Sequence, residues 1–271
     1  MTERLSLKPP SKGDKTDNKS FWDWTGLHFP TLFDAPSTRY YRECEERLFE
    51  TYFPGLAGKR LLKTDLWDEA KNTRILEYAA GRGAEVYAID ISAEMIKQAE
   101  PAFEDDTARR RFIVSDARAI AFAEGSFDHI YSMGTIEHFK EHELAVRECF
   151  RVLRPGGTAI IGVPNAFDPF FRPLMVAILQ RLGLYAYGYE RSFNMRGLKR
   201  MLEGQGFKVL AETGILFLPG WLRMADLWLY VRNPKRASLS VPAISFFASL
   251  YRKFPRLGRY GYLIACVVQK P

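Results

Sequence analysis

The chain has 271 residues, 47% of them hydrophobic and 26% charged, which is enough apolar material for a packed core and excludes wholesale disorder. Its three cysteines (Cys44, Cys149, Cys266) are odd in number and far apart, which excludes a disulfide framework and a cysteine-cluster zinc site and points to a reducing, cytoplasmic setting. The net charge is +7, no apolar run approaches the roughly 20 residues of a membrane span, and the four histidines form no His-Glu-x-x-His pair.

Residues 1–20 are polar, with four lysines and Pro9-Pro10. They carry no apolar signal stretch and read as a disordered tail. Residues 21–57 read as a helical arm, because aromatics and Leu48 recur at helical spacing and Asp34-Ala-Pro-Ser is a turn that precedes a helix. From Lys59 onward strands alternate with helices. Strands are expected at 60–64, 84–90, 111–116, 127–132, 158–163, 207–213 and 262–269. Helices are expected at 72–82, 93–99, 142–153 and 197–203. This alternation predicts an α/β fold with a doubly wound, mostly parallel sheet.

Residues 75–83 (Ile-Leu-Glu-Tyr-Ala-Ala-Gly-Arg-Gly) imitate a glycine-rich cofactor loop. The next strand starts almost at once, however, and a strand-helix-strand crossover needs at least ten or so residues. Gly81 and Gly83 are therefore read as the stop of the preceding helix. The first strand is then 60–64, and the loop after it, Asp65-Leu-Trp-Asp-Glu-Ala, has no glycine. Asp90 closes the second strand about 20 residues past that loop, the place from which an acid accepts two ribose hydroxyls of an adenosine cofactor. A pyrophosphate wants glycines and positive potential. Asp65, Asp68 and Glu69 supply the opposite, so a cationic cofactor, S-adenosylmethionine, suits the loop better than a nicotinamide or flavin dinucleotide. The alternative for these acids is capping of the helix near Asn72.

At this point the residues resemble the class I S-adenosylmethionine-dependent methyltransferases over 58–163, with weaker likeness through 269. Four segments carry the resemblance: 84–92, Ser115-Asp-Ala-Arg, 127–139, and the Cys149-Phe-Arg-Val-Leu-Arg-Pro-Gly-Gly-Thr run. It implies a Rossmann-like sheet of seven strands, the last antiparallel, with helices on both faces. It also implies that Asp90 and Ile91 meet the ribose, that Asp116 faces the adenine amine, and that Ala117 and Met133 contact the cofactor. The departure is the first loop, where Lys63 stands in the usual acid's place and no glycine follows. A branch of the family is similar here, and by that likeness Thr64 lines the loop while Asp65 and Glu69 approach the cofactor's ammonium. In the arm, Arg39 would pair with the cofactor carboxylate, with Tyr40 and Tyr41 folding over the cofactor; ordinary helix packing is the alternative for the tyrosines.

Residues 132–139 follow the fourth strand, where ligands bind in such folds. Glu137 and His138 are the polar groups expected nearest the methyl, with His138 a candidate general base. The alternative for His138 is a hydrogen-bonding role at a helix start. Gly134 stands where related quinone O-methyltransferases carry a metal-binding Glu, so no metal is expected.

Two hydrophobic insertions interrupt the methyltransferase domain (58–271), near 166–192 and 217–260. Residues 217–260 hold eight basic residues against Asp226 alone, which accounts for the whole excess charge of the chain, and they are rich in Trp, Phe and Tyr. Residues 219–231 and 241–253 read as amphipathic helices of interfacial composition. Peripheral contact with an anionic membrane surface is expected, with a lid over a soluble substrate or a dimer interface as alternatives. Nucleic acid is disfavoured, because the aromatics are not spaced as exposed stacking platforms. The function expected is methyl transfer from S-adenosylmethionine to a lipophilic small molecule. A nicotinamide-dependent oxidoreductase and a non-catalytic, membrane-associated protein of the same fold are the alternatives.

Overall fold

Strands buried on both faces read as near-continuous apolar runs, and such runs build the sheet. In the computed structural model, which describes residues 18–101, 103, 110–183, 185 and 187–271, seven strands form. They are β1 (Arg60–Lys63), β2 (Glu85–Asp90), β3 (Arg110–Val114), β4 (Phe127–Met133), β5 (Leu153–Pro164), β6 (Lys208–Ile215) and β7 (Leu263–Gln269). Their order is β3-β2-β1-β4-β5-β7-β6. The first five are mutually parallel, and β7 runs antiparallel to both β5 and β6. Most of the expected N-terminal tail (residues 1–17) lies outside the described residues.

Strand alternation sends successive side chains to opposite faces. Leu61, Val86, Tyr131 and Ile160 enter the core beneath the helices α2 (Pro36–Tyr52), α4 (Ile75–Gly81), α9 (Gly220–Arg232) and α10 (Val241–Lys253). Leu62, Ile89, Ile130 and Ile161 enter the core on the other face, beneath α6 (His142–Val152) and α8 (Met195–Gly204). Each such side chain stabilises the fold by roughly 1.5–3 kcal/mol on burial.

The connection from β1 to β2 differs from the sequence expectation. Its loop is partly helical: α3 (Trp67–Lys71) forms, then breaks before α4. At the break Arg74 is left-handed (φ 55°), and the Asp68 carbonyl accepts from the backbone N–H groups of both Asn72 and Arg74. Gly83 ends the unit with φ 83°, a conformation that favours glycine, and its N–H reaches the Ala80 carbonyl at 2.8 Å.

Two further helices complete the framework, α5 (Ala93–Ala99) and α7 (Arg172–Arg181). The arm folds as α1 (Asn18–His28) and α2. Ser92, the N-cap of α5, donates to Asp23 at 2.7 Å, and Gln98 donates to the Gly26 carbonyl at 2.6 Å, so α1 is tied across α5. The chain order reverses between β1 and β4, and the crevice above their carboxyl ends is the topological switch point.

Candidate active site

The loop after β1 is organised by one buried cation. Lys63 is 0% exposed and lies 2.8 Å from Asp65, 3.3 Å from Asp68 and 3.2 Å from Glu69. Burial works to lower its pKa, but the three carboxylates overcome that and hold the ammonium well above its ordinary value. Asp65 is committed further: Oδ1 accepts from the Trp67 N–H at 3.1 Å and Oδ2 from Thr135 Oγ1 at 2.8 Å. Thr64 Oγ1 sits 2.8 Å from Ser132 Oγ and 3.1 Å from Thr135 Oγ1, which ties the β1 loop to the β4 loop. Thr64, Asp65 and Asp68 line the crevice. Glu69, expected at the cofactor ammonium, does not. It is buried behind the loop, where it accepts from the Leu76 N–H at 3.1 Å, and burial raises its pKa to about 7 despite Lys63. The reason is helical phase: within α3, Asp68 faces the crevice and its neighbour Glu69 turns inward.

Asp90 lines the crevice at the end of β2, beside Ile91. Its two oxygens accept from the N–H groups of Leu66 (2.9 Å) and Ser92 (2.8 Å), which aims the carboxylate. Burial raises its pKa to about 7, with Asp65 adding to the effect. Ser115, Ala117 and Met95 continue the wall. Asp116 does not face it: the Arg118 guanidinium grips both its oxygens, at 3.0 and 2.7 Å, and holds the acid turned away. The arm is corrected in the same way. Arg39 is exposed and pairs with Asp34 at 3.7 Å, and Tyr40 packs edge-on to Tyr251. Consecutive helix residues point about 100° apart, so of the three arm residues only Tyr41 reaches the crevice.

Beyond β4 the chain turns through Gly134, which is left-handed at φ 78°. Met133 lies on the wall, packed so closely on Gly162 that a Cβ there would meet its sulfur at 2.2 Å. His138 lines the same wall, and its Nδ1 is 2.7 Å from the Tyr189 carbonyl. A carbonyl only accepts, so Nδ1 carries the hydrogen and Nε2 keeps a lone pair. Burial holds the His138 pKa below its ordinary value against the opposing pull of Glu190. Glu137 is buried with Oε2 unpartnered, and burial and then Glu190 push its pKa well up.

Much of the far wall comes from the two insertions; Tyr185 and Tyr187 belong to the first of them, the segment expected on the acceptor side, whereas Arg172, Glu190 and Arg223 had no expected site role. Arg172 is buried, paired with Glu190 at 2.7 Å and stacked over the Tyr262 ring at 3.9 Å. Tyr185 donates to Glu190, and Tyr187 packs on Trp67. Trp22 of α1 lies against His138, ring centroids 5.2 Å apart, and lines the crevice with it. The crevice thus carries the acids of the β1 and β2 loops, the Arg172–Glu190 pair, Arg223 and Glu137, with aromatics among them. Acids at a glycine-free loop suit an ammonium or sulfonium and oppose a pyrophosphate. The donor set thus fits S-adenosylmethionine.

Comparison with known proteins agrees. The family described as "Methyltransferase domain" matches residues 70–161. Demethylmenaquinone methyltransferase of Thermus thermophilus is 30% identical over 176 residues, which cover 55% of this chain and 80% of that protein. Ubiquinone biosynthesis O-methyltransferase of Psychrobacter cryohalolentis is 36% identical over 171 residues, 58% of this chain and 64% of that protein. 2-Methyl-6-phytyl-1,4-hydroquinone methyltransferase of Synechocystis is 29% identical, with 60% and 52% covered. The chain thus spans between half and two thirds of the length of the first curated relatives it matches. Among solved structures, phosphoethanolamine N-methyltransferase 2 of Haemonchus contortus, in complex with S-adenosyl-L-methionine, shares the fold at a TM-score of 0.59 and 16% identity, over 93% of this chain and 60% of that one. The strand order, the crevice at the β1/β4 reversal and these relatives converge: the chain belongs to the class I S-adenosylmethionine-dependent methyltransferases.

Proposed function

We propose that this protein methylates a hydroxyl group of a lipophilic, quinol-like small molecule. The observation that carries the reading is His138, which lines the crevice with its Nδ1 hydrogen fixed on the Tyr189 carbonyl, so that Nε2 is the basic nitrogen. The relatives named for ubiquinone biosynthesis and for a phytyl hydroquinone support the acceptor class. Bound S-adenosylmethionine supplies an electrophilic methyl on a sulfonium, so the protein must hold the acceptor in line and take its proton. Asp90 is assigned to the ribose hydroxyls, Ile91, Ala117 and Met133 to the adenosine, and Asp65, Thr64 and Asp68 to the amino-acid end. His138, neutral at physiological pH because of its burial, is assigned as general base, with Glu137 beside it at 3.9 Å. Trp22, Trp67 and Tyr187 form the aromatic walls against which a flat acceptor packs.

Substituting His138→Ala is expected to lower kcat by about 10²–10⁴-fold, the usual range for a lost general base, with a prenylated catechol as acceptor. Binding of S-adenosylhomocysteine should stay unchanged. A variant with full turnover removes His138 from the role.

The same reading includes access from a membrane surface. No described helix is long and apolar enough to cross a membrane. Yet α9 and α10 expose Trp221 (60%), Trp228 and Phe246, and α7 beside them exposes Leu174 and Ile178. Arg232, Arg236, Lys253 and Arg256 of the same segment are exposed too. Such cations are each worth roughly 1 kcal/mol near anionic lipid. The protein is expected to pellet with phosphatidylglycerol-containing vesicles at low salt and to be released at high salt. Failure to pellet at low salt argues for a lid or a dimer face.

A further inference from the structure

Arg223 is a buried cation that makes no ion pair among the described residues. It lies on α9, is 8% exposed and lines the crevice, and its Nη1 has no hydrogen-bond partner. Its guanidinium carbon stands 5.0 Å from the Tyr41 ring and 5.9 Å from that of Tyr262. The acid on its own helix, Asp226, is turned to other partners, its two oxygens accepting from the Ser37 N–H at 2.8 Å and from the Ser240 hydroxyl, and makes no ion pair with Arg223. Arg172, by contrast, is compensated by Glu190. An uncompensated guanidinium in a buried crevice is costly unless a ligand supplies the anion.

The surroundings of Arg223 say which anion. Tyr41, over which it stands, also senses Asp68 and Asp65 of the β1 loop: burial is the main reason its phenol is pushed up, and these acids add to it. Arg223, Tyr41 and the acids Asp65 and Asp68 therefore line a single crevice. An α-amino acid group, with an ammonium and a carboxylate on one carbon, demands that juxtaposition. We propose that Arg223 is the clamp for the carboxylate of the cofactor's amino-acid end, opposite the acids of the β1 loop. The arm residue expected there, Arg39, points to solvent and Asp34. A guanidinium grips a carboxylate through two parallel N–H bonds, which Lys does not reproduce. The assignment rests on the methyltransferase reading and adds a cofactor contact from an insertion that lies far along the chain from the β1 loop.

Calorimetry with S-adenosylhomocysteine and with 5′-methylthioadenosine, which lacks the amino-acid end, tests it. The wild-type protein should prefer S-adenosylhomocysteine. Arg223→Gln should weaken that ligand by about tenfold to a hundredfold while leaving 5′-methylthioadenosine unchanged, and Arg223→Lys should fall between. Arg39→Ala should change neither. Decarboxylated S-adenosylhomocysteine should bind the wild-type protein more weakly by the same factor as the Arg223→Gln loss, a measurement that needs no variant to fold. Equal affinity of wild type for the decarboxylated and intact ligands overturns the proposal, as does an Arg223→Gln protein that keeps its preference or loses both ligands alike. In these cases the cofactor site itself stands. A wild-type protein that binds neither adenosine ligand overturns the methyltransferase reading and, with it, the proposal.

Discussion

Replacing Lys63 with methionine is expected to destabilise the protein by about 3–5 kcal/mol at pH 8, the usual cost of removing one partner from a buried ion cluster. The side chain is wholly buried and is the cation shared by Asp65, Asp68 and Glu69. Glu45 lies close enough to feel it too, buried and holding the Tyr131 hydroxyl at 2.7 Å. Methionine fills most of the volume, so the loss comes from charge and only slightly from packing. The pH dependence gives the mechanism away. Glu69 has its folded-state pKa raised to about 7, and Asp68 is raised also, burial being the first cause in both. A carboxyl with a raised folded pKa contributes stability below its unfolded value and loses it as the pH climbs through the folded one. Without Lys63 these groups must ionise with no counter-charge, so the deficit should be largest at pH 8 and shrink towards pH 5. Urea midpoints at the two pH values measure it. Adding Glu69→Gln to Lys63→Met should recover part of the pH 8 loss. A Lys63→Met midpoint equal to wild type at pH 8 would contradict the cluster as a stabilising unit.

Lys63 also shows what could and could not be read from the sequence. The strands were readable because each carries an apolar run, and their alternation fixes the sheet. Asp90 follows from the strand positions, and Ile91, Ala117 and Met133 from the family resemblance; all four line the crevice. The first loop was readable in composition but not in charge. Its acids looked free because Lys63 was counted as a strand residue. Strand parity holds the missing signal: Lys63 shares a face with Leu61, two residues earlier, which enters the core beneath α2 and α4. Helical phase decided the arm, since a shift of one residue separates Tyr40, which packs on Tyr251, from Tyr41, which lines the crevice. Arg172, Glu190, Arg223 and Tyr262 were not readable at all. They stand on long connections that fold back over the sheet, and no local pattern encodes where such a connection returns.

Substituting Asp90→Ala is expected to weaken S-adenosylhomocysteine binding at least about a hundredfold, because two charge-assisted hydrogen bonds of roughly 1.5–3 kcal/mol each are lost with the carboxylate. The wild-type protein should show the same dependence through pH. Asp90 ionises only at about 7, raised first by burial and further by Asp65, while the N–H groups of Ser92 and Leu66 and the charge of Lys63 pull the other way. Two ribose hydroxyls need an acceptor-only partner, so the ligand selects the ionised form. Affinity should therefore rise by about tenfold between pH 6 and pH 8 and level off above, the shift expected when binding requires loss of a proton with that pKa. Glu69 also titrates at about 7, but it lies behind the loop and meets Leu76 and Lys63, not the crevice, so Glu69→Gln should leave the slope in place. Asp90→Asn keeps one acceptor oxygen and the shape but no charge. It should bind with intermediate strength and show no slope between pH 6 and pH 8. Calorimetric titrations of wild type and the three variants at both pH values separate the outcomes. Unchanged affinity in Asp90→Ala would remove the ribose from the end of β2 and with it the orientation of the cofactor in the crevice, since Asp90 is the acid whose backbone contacts, 2.9 and 2.8 Å to the two neighbouring loops, fix its aim before any ligand arrives.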